Sequence, residues 1–289
     1  MTRIAPFARG LSEAFLGELK SGRFKGLLDA AKQTGLDVQV REHYIDIYAK
    51  GRGVLNLREV PTQRAYVAKT HVRFLVGVSL PCALGRNGEY CLFDATHEFV
   101  ESCLVNLPAL IHNTQPYAKR EATVEEEIIR ASLLGNSPVA FVDRQIQTHG
   151  LRSKADLLGV ARSGSAGGMV VLAELKVGLD GRIQEMMGKL EEYCQVFAPS
   201  GHLRPDMVRA YRTVIAQKQV LGLLPEDVVP PDAGDQVQCL AVLSEYNAKS
   251  DLLRRLREAA RGSRLSVMLV HLARGQCLLP PAAEWEKLS

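Results

Sequence analysis

A chain of 289 residues with 46% hydrophobic and 24% charged side chains is ordinary for a globular protein, with room for one large or two modest domains. A formal net charge of +4 is too small to mark a nucleic-acid binder by itself, so any basic surface must be local. The six cysteines form no Cys-x-x-Cys pair, the seven histidines are scattered, no signal-peptide pattern opens the chain, and the longest apolar stretch (74–84) is too short to span a bilayer. These features argue against a zinc centre, a disulfide framework and a membrane span, and the thiols are expected to be reduced in a cytoplasmic protein.

In chain order, residues 11–32 read as one or two helices, interrupted near Ser21-Gly22 and stopped at Gly35. A strand over 38–49 carries Tyr44, Ile45, Ile47 and Tyr48, and Lys50-Gly51-Arg52-Gly53 is turn chemistry. Further strands of one antiparallel sheet are expected over 54–58, 66–69 and 72–78. Lys50 and Arg52 either touch a phosphate backbone or merely solvate the hairpin tip. Residues 94–110 form a helix with Phe99, Val100, Cys103, Leu104 and Leu107 on its buried face. The Pro116 segment over 113–119 is the best linker, which divides the chain into an α+β region (1–118) with antiparallel strands and a second domain (119–289).

The second domain opens with a helix over 123–134. Glu125, Glu126 and Glu127 crowd its start, where the helix dipole favours acids whether or not they have another task. Strands follow over 138–147, 155–160 and 168–177. The last is a run of apolar residues without alternation, as in a strand buried on both faces, and it ends in Glu174-Leu175-Lys176. Residues two apart on a strand share a face, so the Glu174 carboxylate and Lys176 ammonium emerge together, either as a strand-end ion pair or as part of a site. Asp156 in a short apolar strand is costly unless something uses it. If its strand pairs with the next as a hairpin, Asp156 and Glu174 converge at one sheet end. Two carboxylates beside a lysine make a candidate hard-cation site. An amphipathic helix covers 182–197, with Ile183, Met186, Met187, Leu190, Cys194 and Phe197 on one stripe. A helix over 206–221, a strand over 237–243, a basic helix over 249–261 and a strand over 265–272 complete the chain. Residues 164–168 resemble a hairpin connection and carry no phosphate-loop fingerprint.

The order helix, three strands, helix, with acids on the first helix and on the second and third strands, resembles the PD-(D/E)XK nuclease superfamily. Ala155-Asp156 stands where that motif has Pro-Asp, and Glu174-Leu175-Lys176 matches its second half. Glu125-Glu126-Glu127-Ile128-Ile129 resembles the helix start of Holliday-junction resolvases of that superfamily, with Glu125 as the matching acid and Glu126 and Glu127 as alternatives. Some members carry Gln-x-x-x-Tyr on the following helix; Lys189 and Tyr193 hold that spacing here.

The resemblance implies an α/β, restriction-endonuclease-like fold with a mixed central sheet flanked by helices, and metal-dependent hydrolysis of phosphodiester bonds, in DNA first of all. Asp156 and Glu174 would hold Mg²⁺ or Mn²⁺ and Lys176 would assist the attacking water. Glu125 would hold a water next to the bound metal, or a second metal. Lys189 and Tyr193 either contact the nucleic acid or form the rim of the core. A homodimer is compatible with these expectations. The alternative is a catalytically silent nucleic-acid- or protein-binding module on the same fold.

Overall fold

The computed structural model describes residues 8–63, 65–134, 137–147, 152, 154–162, 169–178, 182–247, 250–261 and 266–288. The expected hairpin connection over 164–168 and Lys249 of the basic helix lie outside the described residues. The chain separates into two units, each built on a six-stranded sheet. The smaller comprises Arg9–Thr123 with Ala216–Leu223, and the larger comprises Val124–Ile215 and Leu224–Ser289. The division falls after Thr123, five residues beyond the expected 118/119 boundary. Assigning 216–223 to the second domain is also corrected. The Gln217 amide accepts from Leu11 N at 2.9 Å and donates to Leu11 O at 2.8 Å, and Lys218 Nζ donates to Gln39 Oε1 at 2.9 Å.

In the smaller unit, α1 (Glu13–Lys20) starts at Ser12, whose hydroxyl accepts from Phe15 N. The break expected at Ser21-Gly22 separates it from α2 (Lys25–Gln33). The strands are β1 (Asp37–Arg41), β2 (Tyr44–Ala49), β3 (Arg52–Val60), β4 (Ala65–His71), β5 (Gly85–Asn87) and β6 (Tyr90–Asp94), followed by α3 (His97–Thr114). All pairs are antiparallel, in the order β1-β2-β3-β4-β6-β5. The single strand expected over 38–49 is two, because the backbone turns at His43 with φ of 60°. Lys50 and Gly51 form the two-residue β2–β3 turn with positive φ at both, which suits a tight hairpin. A Cβ at Gly51 would also lie 2.5 Å from that of Ala122. The strand expected over 72–78 is instead a 3-10 turn, Val72–Leu75. His71 Nδ1 caps it by accepting from Arg73 N at 3.1 Å, and Phe74 buries against Ala49, Val54 and Leu110. An apolar run of this length fits a capped turn over a core as well as it fits a strand.

The larger unit begins in α4 (Arg120–Leu133), followed by β7 (Val139–Ile146), β8 (Ala155–Ala161) and β9 (Met169–Val177). Then come α5 (Ile183–Phe197), α6 (Arg204–Val220), β10 (Gln236–Ser244), α7 (Asp251–Arg261), β11 (Val267–Leu272) and β12 (Glu286–Lys287). The sheet order is β12-β11-β10-β9-β8-β7. β7, β8 and β9 form an antiparallel meander, β9, β10 and β11 run parallel, and β12 returns antiparallel. The architecture is therefore mixed α/β, with a mixed sheet. Seven of the nine residues of β9 are buried, as a central strand covered on both faces requires. Val171, Ala173 and Leu175 pack with Val124, Ile128 and Ile129 of α4 on one face. On the other face α5 lies against β9 and β10 and beside α7.

One consequence of that packing corrects the sequence expectation. Cys194 on α5 and Cys239 on β10 are joined as a disulfide, although 45 positions separate them and no spacing motif marks them. Cys82, Cys91, Cys103 and Cys277 keep their thiols outside any disulfide. Among the described residues no helix is long and apolar enough to cross a membrane.

Candidate active site at the β8–β9 sheet end

The β8–β9 register pairs Leu157 with Ala173. One step further sets Asp156 opposite Glu174, and opposed residues in an antiparallel pair share a face. Asp156 Oδ2 accepts from Leu175 N at 2.8 Å, in place of a ladder carbonyl. Because Leu175 faces α4, its neighbours Glu174 and Lys176 face the side occupied by α5. Their convergence with Asp156 is thus a product of strand alternation and hairpin register.

Glu174 is fully buried (0% exposed). Its Oε1 accepts from Lys176 Nζ at 2.9 Å and from Lys189 Nζ at 2.5 Å. The Tyr193 hydroxyl stands 3.2 Å from Glu174 Oε2 and 2.5 Å from Lys154 O, so its single proton serves two acceptors. Lys189 and Tyr193 are four apart on α5, which puts both on the helix flank above Glu174. Lys176 Nζ also donates to Leu175 O at 2.7 Å and lies 4.0 Å from Asp156 Oδ2. Such full pairing is what allows these charges to be buried.

The third carboxylate arrives from the opposite layer. Glu125 on α4 is gripped by Arg144 in a bidentate pair, Nε to Oε1 and Nη2 to Oε2 both at 3.0 Å. Gln145 Nε2 lies 3.2 Å from Glu125 Oε2 and 3.4 Å from Asp156 Oδ1, which links the two acids. β7 shifts register between Phe141 and Asp143, and Gln145 takes φ of 51°. A bulge of this kind re-aims side chains at a strand end. Asp143 steadies it, accepting from Arg144 N and from the Tyr211 hydroxyl, each at 2.7 Å.

Of the three candidate helical acids, Glu125 is the one that meets the site. Glu126 is 4.0 Å from Arg144 Nη1, and Glu127 accepts from Cys277 Sγ. Tyr193 is 0% exposed and offers no surface to a nucleic acid strand, so of its two alternatives it takes the place in the core, with its hydroxyl against Glu174. Lys189 is 27% exposed and does reach the surface. Arg144, Gln145 and Asp143 are site residues that sequence reasoning passed over. Their signal was a polar triplet inside an otherwise apolar strand.

Burial pushes the Asp156 carboxyl well above the usual range, and the nearby Glu174 and Glu125 charges push it further. Lys176 and the Leu175 amide pull it back only in part. This excess negative potential is what a cation would relieve. Among the described residues no group of three or more His, Cys, Asp or Glu side chains is placed to hold a metal. Asp156 and Glu174 alone fit a cation that takes one or two carboxylates and keeps several waters, as Mg²⁺ does. They do not fit a closed cage.

Comparison of the chain with protein-family models, with curated proteins and with solved structures returns no match.

Proposed function

We propose that this protein is a metal-dependent nuclease of the PD-(D/E)XK kind, hydrolysing phosphodiester bonds, first of all in DNA. The observation that carries the reading is the meeting of Asp156, Glu174 and Lys176 at one sheet end, with Lys176 Nζ 2.9 Å from Glu174 and 4.0 Å from Asp156. A helix, three antiparallel strands and a helix packed on the sheet support the restriction-endonuclease-like assignment.

In this reading Asp156 and Glu174 hold Mg²⁺ or Mn²⁺. The cation supplies a bound water of lowered pKa and neutralises charge on the phosphoryl oxygens. Lys176, fixed by Glu174 and Leu175 O, presents its ammonium where negative charge grows in the transition state. Lys189, the more exposed of the two lysines, turns from Glu174 to a substrate phosphate. Glu125 is committed to Arg144, so its work is to hold Gln145 against Asp156, not to bind a second metal. Tyr193 keeps Glu174 in register from α5.

One observation favours a second reading, a structural ion-pair cluster in a silent binding module: Glu174 Oε1 is already shared by two ammonium groups. Supercoiled plasmid and circular single-stranded DNA, incubated with Mg²⁺, Mn²⁺ or a chelator, separate the two. Cutting that needs the cation and disappears in Glu174→Gln supports the nuclease. No cutting under any cation supports the ion-pair cluster.

A further inference from the structure

On the second face of the smaller unit's sheet Gln39, Arg41 and Asn56 are buried, while Tyr44, Arg58, Lys69 and Tyr90 keep part of their surface. Along β2, Ile45, Ile47 and Ala49 are buried while Tyr44, Asp46 and Tyr48 are only half-buried. β4 repeats the alternation with Tyr66, Ala68 and Thr70 inward and Val67, Lys69 and His71 outward. On β6, Cys91 and Phe93 point in, while Tyr90 is 40% exposed. Ala216–Leu223 meets this face at β1, where Lys218 donates to Gln39. An antiparallel sheet with one solvated face normally carries polar residues there. Here it carries aromatic rings with cations laid upon them.

The Arg58 guanidinium lies 4.5 Å from the Tyr44 ring centroid, and Lys69 Nζ lies 4.8 Å from that of Tyr90. The His71 ring packs edge-on to Tyr90 at 5.2 Å. Register explains the pairs: Tyr44 opposes Arg58 across β2–β3, and Tyr90 opposes His71 across β4–β6. Among the described residues Arg58 and Lys69 join no carboxylate. Of the acids nearby, Asp46 is held by Asn56 and Tyr48 and Glu89 by His71 and Arg73, while Asp94 is exposed in the cross-strand row of Arg58 and Val67. The face therefore presents two cations, one exposed carboxylate and flat rings from β2 to β6, about 14 Å across at the usual strand spacing.

We infer that this face binds single-stranded nucleic acid, with Tyr44 and Tyr90 stacking bases and Arg58 and Lys69 meeting phosphates. Unpaired bases offer flat π-faces to rings on an open sheet, whereas a closed duplex hides them. Arg58 and Lys69 supply cations for phosphates, and the rings beside them favour unpaired bases over an acidic peptide, which offers no flat π-faces. The inference concerns a surface of the smaller unit and stands whether or not the Asp156 site of the larger unit cuts.

The test uses the full chain in chelator-containing buffer, so that no cleavage intrudes. Labelled single strands of about 12 nucleotides, oligothymidylate and oligouridylate, and a duplex of equal length are titrated by fluorescence anisotropy. Both single strands should bind more tightly than the duplex, and their ranking assigns DNA or RNA as the preferred source. Arg58→Ala with Lys69→Ala should flatten the log–log salt slope by about 1.4, for two phosphate contacts at about 0.7 each. Tyr44→Ala and Tyr90→Ala should each weaken binding about fivefold or more, and the Phe variants should not. Wild-type affinity in both Tyr→Ala variants with an unchanged salt slope in the Arg58→Ala, Lys69→Ala protein, or a duplex bound as tightly as the single strands, overturns the inference. Should the variants fold poorly, ultraviolet crosslinking of the wild type decides instead: adducts at Tyr44 or Tyr90 uphold the inference, and adducts only elsewhere overturn it. A chain that binds in this way yet never cuts defeats the nuclease reading alone.

Discussion

Replacing Asp156 by Asn probes the site through stability, without any substrate. The Asp156 carboxyl is raised well above 3.8, first by burial and then by Glu174. A carboxyl raised in the folded state contributes stability fully below its unfolded pKa and loses it as pH rises through the folded value. In chelator, the wild type should therefore lose stability from about pH 4 upward, relative to Asp156→Asn, which has nothing to titrate there. Against this, the Asn amide group faces Gln145 Nε2, now 3.4 Å from Asp156 Oδ1, and one of the two NH₂ groups loses its acceptor. That costs about 0.5–1.5 kcal/mol at every pH. The carbonyl oxygen still accepts from Leu175 N, so the strand end survives. Adding Mn²⁺ to a hundredfold excess over its Kd should stabilise the wild type by about 2.7 kcal/mol. For a unit of this size that is a rise in Tm of about 5–11 °C. The variant, left with one carboxylate, should lose most of that rise. Calorimetry between pH 5 and 8 (about three pH values suffice), with chelator and with Mn²⁺, reads both effects. Identical metal responses in the two proteins, or a wild type that gains on the variant as pH rises in chelator, would refute the cation site.

Arg144→Ala should be among the most damaging single changes, about 3–5 kcal/mol by urea unfolding, because it strands the buried Glu125 carboxylate. Arg144→Ala with Glu125→Leu should recover much of the loss; a single variant as stable as wild type would show that the pair is not buried in solution. Tyr193→Phe removes one shared proton and should cost about 1 kcal/mol, with a larger proportional effect on cleavage than on DNA affinity. Thiol titration of the unfolded, unreduced protein should find four reactive cysteines out of six, since Cys194 and Cys239 are paired. Six would contradict the bridge. Reducing it should lower stability by about 4 kcal/mol on a chain-entropy basis for a loop of that length.

What could be read from residues alone was whatever depends on local period. The unalternating run of β9 marks a central strand, and Glu174 and Lys176 share a face by strand geometry alone. Asp156 stands out because a lone acid in Ala155–Ala161 has to be accounted for. Among the three acids of α4, Glu125 was the one the motif resemblance singled out, with its two neighbours as alternatives. What stayed hidden depends on contacts distant in sequence. Gln145 reaches both acids only because β7 is bulged and its backbone is left-handed, and neither leaves a sequence mark. Gln217 binds Leu11 across 206 positions, which no domain boundary drawn from composition can anticipate. Cys194 and Cys239 meet because α5 packs on β10. Tyr193 stayed open between nucleic-acid contact and the core for a related reason: its place on the helix flank was foreseeable, but its complete burial was not.

The central claim is that Lys176 stabilises the transition state at a cation held by Asp156 and Glu174. Single-turnover cleavage of labelled DNA by wild type and Lys176→Ala, with affinities measured in parallel in Ca²⁺, tests it most directly. The account predicts a rate lower by roughly 10²-fold or more and an affinity changed far less, since several basic side chains share the phosphates. A Lys176→Ala protein that cuts at the wild-type rate, or whose cleavage falls only as far as its binding, would contradict it.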